Sequence, residues 1–196
     1  MYSEAEQYII DLLGKGLPQS LTYHGVHHTL DVFNAAIPIA GYYQINGAEL
    51  KLLRIAALYH DAGFLSQYDD HEDAGCILVR NTLPQFEFDQ YEVDTVCQMI
   101  MATDVPQKPA TLLEEILCDA DLDYLGRDDF ENIAATLYRE FLYYKIVDSE
   151  ESWNRLQHKF LSTHRYFTAY SRTVREPLKQ LHLQRIGEIV NSYDRD

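Results

Sequence analysis

The chain is organised around residues 52–63, which read LLRIAALYHDAG. The apolar residues predict a buried helix that ends at the pair His60-Asp61, with Gly63 as its C-terminal stop. A charged pair at the end of a buried helix is costly unless it is ion-paired or bound to a metal. Neighbouring helical side chains point about 100° apart, so the imidazole and the carboxylate of this pair cannot cap each other. Both groups can, however, point toward one cation at the helix end. The alternative is a capping residue beside a surface histidine.

Three further motifs place histidines and carboxylates on either side of this helix. YHGVHHT lies upstream at residues 23–29, and HEDAG and DADLDYLG lie downstream at residues 71–75 and 119–126. The order of histidine, His-Asp pair and aspartate resembles the signature of the HD superfamily of metal-dependent phosphohydrolases. The resemblance covers roughly residues 21–130. The signature falls on His28, His60, Asp61 and Asp121.

The resemblance implies a divalent metal ion bound by His28, His60, Asp61 and Asp121. It also implies that the Asp61 carboxylate is available to bridge to a second ion. Asp119 is the alternative to Asp121 as the last ligand. A set of imidazoles and carboxylates without thiolates suits Mn, Fe, Co, Ni, Zn or Mg rather than a structural zinc site.

His71 is the candidate ligand for a second ion. It starts a helix just past the His-Asp pair, and some HD enzymes that hold two metals use a histidine there. The alternative is an exposed histidine beside two aspartates. The fuller two-metal pattern often has further histidines before the last aspartate, but none occurs here between His71 and His158. The sequence therefore leaves open whether one or two ions bind.

His24 is the candidate general acid. The YHxxxHT motif resembles the YHNxxHA motif of cyclic-nucleotide phosphodiesterases, in which the first histidine protonates the leaving oxygen and the second binds metal. Carried over by position, these roles fall on His24 and His28, although Gly25 stands where that family has asparagine. A spacing of four residues would put both imidazoles on one helix face. The alternative is that His24 is structural and bonded to a nearby carboxylate. His27 is expected at the surface or just outside the metal ligands.

The reaction that these residues imply is metal-assisted hydrolysis of a phosphoester. Asp61 or Glu72 could orient the attacking water. Arg127 could bind phosphate oxygens, since arginine binds them in a bidentate manner, or it could pair with Asp128 or another acidic neighbour. The expected substrate is a small phosphorylated molecule such as a nucleotide, either a phosphomonoester or a cyclic phosphodiester.

Two other functions compete with this interpretation. One is a non-catalytic, metal-bearing module that senses a nucleotide and acts through a partner. The other is a di-iron oxygenase of the HD type, which would need the additional histidines that this chain lacks in its motif region.

The composition limits the class of protein. The net charge of −15 argues against nucleic-acid binding, which needs basic surface. No apolar run approaches the roughly 20 residues of a membrane span, and the N-terminal MYSEAEQYII has no basic region typical of a secretory signal. Three cysteines without CxxC spacing indicate reduced thiols, so the predicted location is the cytoplasm. The oligomeric state is left open.

The helix signals predict an all-α fold with essentially no sheet, and the resemblance implies an HD-domain-like multi-helix bundle. Residues 1–196 are expected to form a single HD-type domain, with a core motif region at 21–130 and a helical C-terminal extension at 131–196. Ser3, Asp89 and Thr111 are expected to cap helices. Pro38 is expected to kink or split a helix that begins near Val26.

Overall fold

The computed structural model describes residues 2–195. Within these residues the chain forms ten α-helices, three 3-10 turns and no β-strand, which confirms the predicted all-α class. The helices are α1 (Glu4–Gly16), α2 (Val26–Tyr42), α3 (Gly47–Tyr59), α4 (His71–Thr82), α5 (Gln90–Met101), α6 (Leu112–Asp121), α7 (Phe130–Tyr143), α8 (Glu150–Thr163), α9 (Ala169–Val174) and α10 (Glu176–Tyr193). The 3-10 turns are Ala62–Leu65, Leu83–Phe86 and Asp123–Gly126.

The chain divides into two compact units. The first ends at Leu122 and contains α1 to α6, and the second begins at Asp123 and contains α7 to α10. The core motif region expected from the sequence ends later, at residue 130. The expectation that both parts belong to one HD-type domain stays a prediction.

Helix α3 is the central helix of the first unit. It packs against α1, α2, α5 and α6. Every side chain from Leu52 to Tyr59 is buried except that of Arg54, whose Nε lies 2.7 Å from Glu6 Oε1 on α1. The apolar character of this segment therefore corresponds to burial on nearly all sides, because four other helices surround it.

The three predicted caps are present. The side chains of Ser3, Asp89 and Thr111 each accept a hydrogen bond from the backbone N–H three residues later. The glutamate at that later position accepts a hydrogen bond from the N–H of the capping residue in return, which completes a capping box. These reciprocal bonds satisfy backbone donors that a helix start leaves unpaired.

Pro38 does not split α2, which continues through it to Tyr42, so of the two expected effects the kink stays a prediction. The proline lies on the exposed side of α2, where a carbonyl that has lost its partner can turn toward solvent. Gly63 is not the stop of α3, because α3 ends at Tyr59 and Gly63 lies inside the turn Ala62–Leu65.

Gly63 is instead required for a close approach of two backbone segments. A Cβ atom at this position would lie 1.8 Å from the carbonyl oxygen of His71. The absence of a side chain therefore lets the turn Ala62–Leu65 pack directly on the start of α4. This contact brings the His60-Asp61 pair next to His71.

In the second unit, α8 packs against α10, and the turn Asp123–Gly126 packs against α7 and α10. Lys179 of α10 is fully buried. Its Nζ donates to the carbonyl oxygen of His164 at 2.8 Å and lies 3.0 Å from Glu176 Oε2. Across residues 2–195, no helix combines the length and the apolar character that crossing a bilayer requires.

Candidate metal centre

The four predicted ligands lie at the ends of three helices of the first unit. His28 is in the first turn of α2, His60 and Asp61 directly follow α3, and Asp121 is the last residue of α6. Neither α3 nor α6 has a basic residue in its last turn. The two carboxylates therefore lie at the negative ends of helix dipoles, a setting that favours a bound cation.

Three ligand atoms converge on one point. His28 Nε2 and His60 Nε2 are 3.4 Å apart, and Asp121 Oδ1 lies 3.2 Å from the former and 3.5 Å from the latter. Ligands that surround one ion at about 2.0–2.3 Å in tetrahedral directions lie about 3.3–3.8 Å from one another. Two of the three separations fall within this range and the third, 3.2 Å, lies just below it, so the three atoms are placed as ligands of one ion would be. Asp119 is fully buried on α6 and does not belong to this group.

Asp61 lies between this group and His71. Its Oδ2 is 3.4 Å from His28 Nε2 and 3.2 Å from His60 Nε2, while its Oδ1 is 3.4 Å from His71 Nε2. No hydrogen bond of good geometry reaches the buried Oδ2, an arrangement that costs about 1–3 kcal/mol or more for a charged group. A cation beside Oδ2 would remove this cost, so the residues fit a bound metal ion.

The orientation of the His60 ring also fits a metal ligand. Its Nδ1 lies 2.9 Å from the carbonyl oxygen of Ala57. Because a carbonyl only accepts, Nδ1 must donate, and in the neutral ring Nε2 then carries the lone pair. That lone pair is close to two carboxylates, which repel it unless a proton or a cation intervenes. Metal-binding histidines are commonly oriented by such a hydrogen bond from the other ring nitrogen.

The pKa values in this cluster are set by burial and by the attraction between its imidazoles and its carboxylates. Burial lowers the pKa of His60, but Asp61 and Asp121 outweigh burial and hold it well above its usual value. Burial raises the pKa of Asp61 and of Asp121, but the neighbouring imidazoles outweigh it. The pKa of Asp61 is therefore well below its usual value, and that of Asp121 is lowered to about 2. Metal binding would displace a proton from His60, so it is favoured as pH rises.

His71 and Glu72 begin α4 on the other side of Asp61. The His71 side chain is 19% exposed, so it is not the exposed histidine of the alternative interpretation, and its Nε2 is 3.2 Å from Glu72 Oε1. Burial raises the pKa of Glu72, and His71 only partly offsets this. A carboxylate whose pKa is raised is suited to proton transfer. Neither His71 nor Glu72 belongs to the converging group of His28, His60 and Asp121, so the second ion stays a prediction.

His24 does not lie on α2 with His28, so the expectation of a shared helix face was wrong. Helix α2 begins at Val26 and is capped by Gly25. The two imidazoles are nevertheless neighbours, with ring centroids 5.8 Å apart, and the His24 ring also stacks on Phe64 with centroids 4.5 Å apart. The role of His24 as a proton donor stays a prediction.

Arg127 lies in the second unit and is paired with an acidic neighbour. Its Nε and Nη2 donate to the two carboxylate oxygens of Asp129 at 2.9 and 2.6 Å, and its Nη1 lies 3.6 Å from Asp123 Oδ2. The salt bridge considered as an alternative is therefore present, with Asp129 rather than Asp128. A role in binding phosphate would require the guanidinium to exchange this partner, and it stays a prediction.

Gln107 is a residue of the site that sequence reasoning missed. Its Nε2 donates to Asp121 Oδ2 at 3.3 Å and to the carbonyl oxygen of Cys118 at 3.4 Å. This bond occupies one oxygen of Asp121 and leaves Oδ1 beside the imidazoles. A glutamine in the loop between α5 and α6 belongs to no motif, and no spacing marks it as a neighbour of Asp121.

Replacing Gln107 with alanine is expected to weaken metal binding by about 10- to 100-fold, the usual effect of losing a group that orients a ligand. Gln107→Glu removes the same donor but adds a negative charge near the ion, so it should weaken metal binding less than Gln107→Ala. Calorimetric titration with Mn²⁺ measures both effects. Gln98→Ala, on the exposed surface of α5, is the control. Equal affinities for Gln107→Ala and Gln98→Ala would contradict the assignment.

Comparisons with known proteins point to one family. Residues 25–123, just over half of the chain, match the family model of the HD domain. No curated protein matches the chain. The crystal structure of a predicted HD superfamily hydrolase from an uncultured Thermotogales bacterium is similar, with a TM-score of 0.62 and 21% sequence identity, over 95% of this chain and 92% of that chain. At this identity the likeness shows the fold.

Proposed function

The chain belongs to the HD domain family, and from this premise we propose that it is a metal-dependent phosphohydrolase that cleaves a small phosphoester, a nucleotide or a cyclic nucleotide. The observation that carries the proposal is the convergence of His28 Nε2, His60 Nε2 and Asp121 Oδ1 beside the buried Oδ2 of Asp61. A divalent ion held there supplies Lewis acidity to a phosphoryl oxygen and to an attacking water. The mixed imidazole and carboxylate donors suit Mn, Fe, Co, Ni, Zn or Mg.

The other residues of the cluster would orient the attacking water and transfer protons. Glu72, whose pKa burial raises, would accept a proton from the attacking water, and Asp61 would orient that water. His24, whose ring lies beside that of His28, would donate a proton to the leaving oxygen. A cytoplasmic location is part of the proposal, since Cys76, Cys97 and Cys118 are free and buried, as expected for thiols in a reducing compartment.

The test is a hydrolysis screen of the full chain. Protein stripped with a chelator is reloaded with Mn²⁺, Co²⁺, Ni²⁺, Mg²⁺ or Zn²⁺ and offered nucleoside monophosphates, cyclic nucleotides and p-nitrophenyl phosphate. We expect phosphoester cleavage that requires the added ion and is lost in His60→Ala. Tight nucleotide binding without hydrolysis by metal-loaded protein would contradict the proposal and favour the sensing module. Dioxygen consumption by iron-loaded protein without hydrolysis would favour the oxygenase.

A further inference from the structure

The aromatic ring of Phe64 stacks on two histidines of the candidate centre. Its centroid is 4.5 Å from that of His24, with 30° between the ring planes, and 4.0 Å from that of His71, with 18° between the planes. Phe64 lies in the turn Ala62–Leu65, directly after the His-Asp pair.

Both histidines lie at the ends of elements, where helix geometry alone does not fix a ring. His24 precedes the Gly25 cap of α2. His71 is the first residue of α4 and follows Asp70, whose backbone is left-handed with a φ of 54°. The two rings have centroids 6.4 Å apart. His71 Nε2 lies near Asp61 Oδ1 and Glu72 Oε1, and the planes of both rings are left to packing contacts such as the stacking on Phe64.

Phe64 is itself held firmly enough to fix other rings. Its side chain is only 5% exposed, and its backbone N–H donates to the carbonyl oxygen of Asp61 at 3.1 Å. The close approach at Gly63 packs this turn on the start of α4. Tyr68 contacts the Phe64 ring edge-on, with centroids 5.2 Å apart.

We propose that Phe64 is a positioning residue that fixes the imidazoles of His24 and His71 relative to Asp61. The proposal rests on the proposed function for its catalytic consequence, since His24 is assigned there as the proton donor. His71 enters as the ligand that the sequence predicts for a second ion. A flat apolar ring suits this purpose because it orients an imidazole through its face and leaves both ring nitrogens available. Phe64 does not touch the substrate in this account.

The first test measures ring order without any reaction. Phe64→Leu removes the aromatic face but keeps apolar bulk, and Phe64→Tyr keeps the face. Phe88→Leu is the matched control, because Phe88 is similarly buried at 7% exposed and its ring contacts Lys51 instead. In metal-free protein, we expect the NMR order parameters of the His24 and His71 rings to fall below about 0.6 in Phe64→Leu only. Rings that stay as ordered as in the wild type would overturn the proposal.

The second test measures turnover with Mn²⁺ and a nucleotide, whose leaving group needs the proton that His24 would donate. Phe64→Leu should lower kcat by about 10- to 100-fold, the scale of small misplacements of reacting groups. It should leave KM and Mn²⁺ affinity at the first ion within about twofold, since no ligand of that ion is altered. Phe64→Tyr should restore most of the loss. A kcat loss equal to that of Phe88→Leu would overturn the proposal. A wild-type protein that binds Mn²⁺ but hydrolyses nothing would instead contradict the proposed function, and ring order would still decide the role of Phe64.

Discussion

Replacing Asp61 with alanine is expected to remove both the bound ion and the hydrolysis of phosphoesters. Asp61 places Oδ2 3.2 Å from His60 Nε2 and Oδ1 3.4 Å from His71 Nε2, so its loss removes a ligand and the group that would bridge two ions. A bound ion contributes several kcal/mol of transition-state stabilisation. We therefore expect kcat/KM to fall by about 10³-fold or more. Elemental analysis of the purified variant and phosphate release measure the two losses.

The helical fold of Asp61→Ala should remain, because Asp61 follows α3 and contributes no apolar packing to it. In the wild type, Mn²⁺ at 100 times its Kd should raise the free energy of unfolding by about 2.7 kcal/mol. This gain should disappear in the variant. Asp94→Ala, an exposed aspartate of α5, is the matched control and should keep the gain. Wild-type metal content in purified Asp61→Ala would show that Asp61 is not a ligand.

Replacing His24 with alanine is expected to separate proton transfer from metal binding. His24 lies beside the ligand His28, with ring centroids 5.8 Å apart, but it is not part of the converging ligand group. Loss of a general acid typically costs 10²- to 10⁴-fold in rate, about 3–5 kcal/mol of barrier. The loss should be large for a nucleotide and small for p-nitrophenyl phosphate, because p-nitrophenolate leaves without needing a proton. The metal content should stay near that of the wild type.

His27→Ala is the control for this variant, since His27 is exposed and lies in the same motif. Its rates on both esters should stay close to those of the wild type. An equal loss on the two esters in His24→Ala would mean that His24 positions a group rather than donates a proton. Loss of metal from His24→Ala would make it a ligand and would refute the role taken from the phosphodiesterase motif.

The sequence was sufficient for the central helix. The segment from Leu52 to Tyr59 is apolar at nearly every position, and burial on all sides is the physical consequence of that pattern. The His-Asp pair alone left a capping role open, and it was the resemblance to the HD superfamily that named His28, His60 and Asp121, whose side chains converge in the structure. Their role as metal ligands, and that of Asp61, stays a prediction. The capping boxes were equally predictable, because a capping box is a local pattern with a fixed spacing.

The remaining features depend on contacts between segments far apart in the sequence. Gly63 has the sequence context of a helix stop, but its role follows from the backbone of His71, which no local pattern places beside it. Gln107 and Phe64 carry no motif and were missed for the same reason. The helix face assumed for His24 failed because α2 begins only at Val26, two residues after His24. A spacing of four residues places two side chains on one helix face only when both residues lie inside the helix.

The most direct test of the candidate centre is anomalous diffraction from crystals of the full chain loaded with Mn²⁺. The account predicts an anomalous peak about 2.0–2.3 Å from His28 Nε2, His60 Nε2 and Asp121 Oδ1, with an oxygen of Asp61 also bound. The same peak should be missing from crystals of Asp61→Ala. A peak at Asp119 in place of Asp121 would refute the assignment of the last ligand. No peak within reach of His28 and His60 in crystals that hold Mn²⁺ elsewhere would contradict the metal centre itself.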